Sequence, residues 1–73
     1  MSIFRLPKTT STAEVAQDWE RSATARQGRA DALAAEGKTT EAKPWAAGAR
    51  EAREHAAAAR QGRESYEAYV NGW

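Results

Sequence analysis

Residues 37–44, Gly-Lys-Thr-Thr-Glu-Ala-Lys-Pro, separate two long proline-free tracts and decide how the chain folds. Gly37 suits the left-handed residue that closes a helix. Pro44 suits the first turn of the next helix, where its missing N–H is not needed. A connection this short makes consecutive helices antiparallel neighbours. The spacing therefore predicts an all-α chain, an antiparallel two-helix hairpin.

Working outward, Ser11-Thr12-Ala13-Glu14 matches the capping box that opens a helix. Good helix formers follow as far as Glu36, so helix 1 is expected at about 12–36. Helix 2 is expected at about 41–70, with Thr40 as cap and Asn71-Gly72 as stop. Pro7 biases Leu6 towards extended backbone, and Lys8-Thr9-Thr10-Ser11 is polar. Residues 1–10 therefore read as an extended N-terminal arm on a helical hairpin spanning 11–73.

Both helices carry apolar or small residues at the 4-3 spacing of a coiled-coil seam. In helix 1 these are Ala16, Trp19, Ala23, Arg26, Ala30 and Leu33; in helix 2 they run from Trp45 through Ala49, Ala52, Ala56, Ala59, Arg63, Tyr66 and Val70 to Trp73. An alanine-rich seam lets backbones approach closely. Leu33 with Trp45 should plug the loop end, and Trp19, Tyr66 and Val70 should fill the open end. Large apolar side chains number only eleven, against eighteen alanines. So small a core calls for a partner, and pairing of hairpins into a helical bundle is the expected source.

One internal repeat is present: Ala25-Arg26-Gln27-Gly28-Arg29 recurs 34 residues later as Ala59-Arg60-Gln61-Gly62-Arg63. The period equals that of tetratricopeptide repeats, but their residue pattern is not reproduced. Chance in an Ala/Arg-rich chain explains the repeat as well as a helix duplication does.

Composition restricts the function. With no cysteine and a single histidine, no metal site or cofactor is expected. His55 has no nucleophile or orienting group indicated beside it, no glycine-rich phosphate loop occurs, and no small-molecule substrate is expected. The chain reads as a non-enzyme. It has neither a signal-peptide core nor a membrane-length apolar run, and a cytoplasmic location is expected.

Two surfaces stand out. Arg21, Arg26, Arg29, Arg50, Arg53, Arg60 and Arg63 would form a belt around the middle of the hairpin, a candidate anion-binding surface. The same arginines also fit a solvated face laced with pairs such as Arg50–Glu54, Arg60–Glu64 and Arg63–Glu67. Phe4, Leu6, Tyr66, Tyr69 and Trp73 form a candidate interaction surface, because arm and chain end meet at the open end. Phe4 is expected to pack on Tyr66 or Val70, in its own chain or in an exchanged dimer.

The leading expectation is a small helical adaptor or regulator acting through self-association or a partner protein. The alternatives are a nucleic-acid-binding regulatory or mobile-element protein using the arginine belt, and a structural component of a phage or filament. A net charge of +1 weighs against nucleic acid.

Overall fold

The structure, a computed structural model, describes residues 3–73 and contains three helices: α1 (Thr12–Ala35), α2 (Thr39–Arg60) and α3 (Arg63–Asn71). The two long helices pack against each other as a hairpin. Residues 3–11 form the irregular arm ahead of α1; Met1 and Ser2, with which the expected arm begins, lie outside the described residues.

Helix ends follow the local chemistry. Ser11 caps α1, its side chain accepting from the Ala13 amide at 3.2 Å. Gly37, at φ 79°, closes the helix as expected, with Gly37 N–H donating to Ala34 and Lys38 N–H donating to Leu33. This paired arrangement satisfies carbonyls that the helix end would otherwise leave open. Gly72 closes α3 the same way at φ 77°, the Trp73 amide reaching the Ala68 carbonyl.

Helix 2 begins two residues earlier than expected, at Thr39, which places Pro44 in its second turn. There the missing N–H deprives the Thr40 carbonyl of its helical donor. Thr40 is exposed, so water can take that place.

The alanine seam is as read from the spacing. Ala16, Ala23, Ala30 and Leu33 from α1 are buried against Ala42, Ala49, Ala52, Ala56 and Ala59 from α2. Trp19 and Arg26 are half-buried at their seam positions. The loop end differs: Leu33 packs with Ala30, Ala42 and Ala46, whereas Trp45 is 43% exposed with the Arg29 guanidinium over its ring. Helices held apart only by methyl groups leave no room for an indole, and Ala42 takes the seam position instead.

The main departure lies beyond Arg60, where a continuous helix to Val70 was expected. Gln61 is a turn residue in the αR region (φ −80°, ψ −6°), but Gly62 adopts φ 116° and ψ 175°, and α3 folds back on α2. Three contacts establish the reversal. Tyr66 OH lies 3.3 Å from His55 Nδ1, Tyr69 OH donates to Glu54 at 3.3 Å, and the Tyr69 and His55 ring centroids are 4.8 Å apart. In an unbroken helix residues 54 and 69 would be separated by about 22 Å.

The folded molecule is a slab measuring 44 × 25 × 16 Å. Its thin dimension is little more than one helix diameter, ~10–12 Å. Every helix thus keeps a solvent face.

The two copies of the pentapeptide diverge, and alanine substitution should expose the difference. Gly28 is exposed mid-helix, and a methyl group there meets nothing within 4 Å. Gly28→Ala should raise stability by about 1 kcal/mol in urea unfolding. Gly62→Ala should lower the stability of the folded-back chain, because φ 116° strains any L side chain.

Candidate functional site

The arm lies along α3, and its main chain is held by three side chains one helical turn apart. Asn71 pairs with Phe4 twice: Oδ1 accepts from the Phe4 amide at 2.8 Å, and Nδ2 donates to the Phe4 carbonyl at 3.0 Å. Glu67 accepts from the Leu6 amide at 2.8 Å. Arg63 donates to the carbonyls of Leu6, Pro7 and Thr10 at 2.6, 3.1 and 3.0 Å.

The geometry follows from two repeats that nearly match. Two residues of extended chain advance about 6.7 Å, and one helical turn of four residues about 6 Å. Amides at Phe4 and Leu6 therefore align with residues 71 and 67. Alternation along the arm then sends Phe4 and Leu6 to one side and Ile3 and Arg5 to the other.

Leu6 is buried with Ala16, Ala59 and Tyr66, while Phe4, Val15 and Trp19 pack against that group. The Phe4 ring meets Tyr66 edge-on at 5.9 Å, the contact expected from the sequence, formed within one chain. Behind it Trp19 Nε1 donates to Tyr66 OH at 2.9 Å, and His55 stacks on Trp19 with centroids 4.0 Å apart. Tyr66 OH donates a hydrogen bond to His55 Nδ1 in the tautomer that carries hydrogen on Nε2. His55 is thus a packing and hydrogen-bonding residue of the core edge.

Glu67 is the buried charged residue of the arm joint; Arg5 reaches it at 3.5 Å from an exposed position. Its carboxylate binds a main-chain amide, a charge-assisted contact of the kind that strengthens away from water. The pairing of Arg63 with Glu67 expected from their spacing is replaced by this joint hold on the arm.

The remaining arginines of the expected belt engage separate partners. Arg26 crosses the seam and donates to the Gly48 carbonyl at 2.9 Å. A side chain at Gly48 would meet Arg26 Cδ at 3.3 Å, so the glycine makes way for that crossing. Arg60 pairs with Glu20 across the hairpin, Arg53 donates to Gln27, Arg21 pairs with Asp18, and Arg29 lies over Trp45. Arg50 alone of the seven makes no hydrogen bond, ion pair or aromatic contact among the described residues. The Arg50–Glu54 and Arg60–Glu64 pairs do not form there either.

Of the five candidate interaction residues, Leu6 and Tyr66 are buried and Phe4 is half-buried in the chain's own core. Tyr69 lies at the surface against His55, and Trp73 is 69% exposed, with Arg5 5.9 Å from its ring centroid. Ile3 (55% exposed) and Val70 (39%) flank the same joint, next in sequence to the paired Phe4 and Asn71. The sequence places Ile3 and Val70 with these apolar residues at the open end, but Glu67 and Asn71 were missed as members of this surface. The available signal was the polar series Arg63, Glu67, Asn71 at every fourth residue of one helix face.

Two outcomes are expected. Phe4→Ala should cost about 2–3 kcal/mol, and Glu67→Ala about 1–3 kcal/mol. Urea unfolding reads both, and amide exchange at Leu6 should accelerate selectively in the second. Separately, partial burial, then the neighbouring Glu54 carboxylate, holds the Tyr69 hydroxyl above its ordinary 10.0. A phenol raised in the folded state contributes stability that is intact below the unfolded value and is lost as pH rises from there through the higher folded value. Stability should therefore fall as pH climbs past about 10, and Glu54→Gln should move the Tyr69 titration, followed by NMR of its ring, downward. No protein-family model, curated protein or solved structure matches this chain, so the functional reading rests on its own geometry.

Proposed function

We propose that the chain is a protein–protein interaction module rather than an enzyme, docking through the apolar rim of the arm–α3 joint. The observation that carries this reading is the coincidence of Ile3, Val70 and Trp73, all exposed, beside a joint whose inner residues are fully engaged. Three large apolar side chains left in water at one place, rimmed by Arg5, match the make-up of an association surface.

The joint also provides rigidity. Main-chain contacts from Arg63, Glu67 and Asn71 fix the arm, so the rim is ordered before any partner arrives and less entropy is lost on docking. A second copy of the chain and a separate partner protein are the two forms of this reading. The arginines do not favour a nucleic-acid ligand, because six of the seven already contact other groups of the chain.

The test replaces Ile3, Val70 and Trp73 together by serine. Sedimentation equilibrium from micromolar to high micromolar concentration, with pull-down from the source cells, should show association of the parent chain and its loss in the variant. Melting temperature should stay within a few degrees, since these side chains lie outside the core. Equal association by parent and variant, or none by either, would remove the proposal.

A further inference from the structure

We infer that α3 is an exchangeable element: two copies of this chain can trade it, each seating the other's α3 against its own α2 and arm. This deepens the interaction reading above by naming the partner as a second copy and the exchanged segment as Arg63–Asn71.

The first support is the hinge. Between α2 and α3 stand two residues: Gln61, a turn residue that stays in the αR region at φ −80° and ψ −6°, and Gly62, which leaves it. A large rotation at Gly62 with a smaller adjustment of ψ at Gln61 therefore converts the folded-back form into a single helix spanning residues 39–71. No loop has to be rebuilt.

The second support lies within the same chain. Ala-Arg-Gln-Gly-Arg at 59–63 carries the hinge, and the identical pentapeptide at 25–29 is helical throughout, Gly28 included. The hinge sequence can thus be wholly helical in a suitable setting. In the folded-back form Gly62 is held at φ 116°, and α3 starts with no side-chain cap. Straightening removes the uncapped start, while glycine itself can adopt either backbone.

The third support is the occupant. Straightening would carry Tyr69 about 22 Å from Glu54, breaking every α3 contact within the chain. The vacated seat, with Trp19, His55 and the arm backbone, fits an α3 and is filled by one in the monomer. A second copy supplies the identical segment, and the exchange closes as a symmetric dimer in which each native contact is made once in each direction. The 4-3 spacing of Ala56, Ala59, Arg63, Tyr66, Val70 and Trp73 runs unbroken through the hinge, as a continuous helix requires.

The decisive experiment uses the absence of cysteine. One full-length copy carries Glu54→Cys and another carries Tyr69→Cys; a short bis-maleimide reports their proximity. A chain with both substitutions should cross-link within itself as a monomer, which checks the reach of the reagent. After the two single variants are warmed together near the melting temperature and cooled, a linked heterodimer is expected, with little linkage in either variant alone. Gly62→Ala should raise the dimer fraction at fixed concentration by about tenfold, since alanine favours the helical hinge and disfavours the bent one.

Dimers that form without the 54–69 link would overturn exchange while leaving the apolar rim as the interaction surface. Monomers in every mixture, Gly62→Ala included, would overturn it too. If Gly62→Ala fails to fold, the mixing experiment on the otherwise unchanged chain decides alone. Loss of association in the Ile3/Val70/Trp73 serine variant with the link intact in the parent would show that exchange and rim act together.

Discussion

The backbone at Gly62 is the constraint on which the open end depends. At φ 116° and ψ 175° it occupies territory that residues with a Cβ avoid. The reversal there lays Arg63, Glu67 and Asn71 beside the arm and brings Tyr66 and Tyr69 over His55. A straight helix would leave Leu6 without Tyr66, Trp19 without its hydroxyl acceptor, and the arm without any seat. One pair of dihedrals thus couples the first described residues to the last.

The rest of the molecule is built on the opposite principle, repetition of a small side chain. Ala49, Ala52 and Ala59 have no measurable exposure. Methyl groups bury little area each, so the hairpin draws its cohesion from closeness of backbones and from specific crossings such as Arg26 to Gly48. Such a seam defines alignment well and supplies modest apolar burial. The large side chains cluster instead around the arm, where Phe4, Leu6, Trp19 and Tyr66 form the one region resembling an ordinary core.

How much of this the sequence disclosed divides along the same line. The seam was legible because a 4-3 spacing of alanines has a single structural meaning in a helix, and the stops at Gly37 and Gly72 were legible because glycine marks them. The Phe4–Tyr66 contact was expected from the meeting of arm and chain end at the open end, although the fold-back at Gly62 that delivers it was not. The break at Gly62 was not legible: the identical pentapeptide is helical at 25–29, so no local preference separates the two. Tertiary contacts made by α3 decide it. With the break hidden, Arg63 and Glu67 read as a helical ion pair, when both instead hold backbone 53 to 61 residues away. Trp45 misled for a related reason, since the spacing gives the face of a residue and not the gap between two faces.

The clasp between arm and α3 also orders the assembly of the molecule in time. Its hydrogen bonds join residues 53 to 67 positions apart, whereas the hairpin turn closes over a few residues at Gly37. Contacts across short loops form early and those across long ones late, because closing a long loop must be compensated by structure already in place. During synthesis the arm is made well before its seat. Until α3 is complete, Phe4 and Leu6 have no shelter within the chain. The newly made protein therefore passes through an interval in which its most apolar short segment is open to whatever lies nearby, and the final turn of α3 ends that interval.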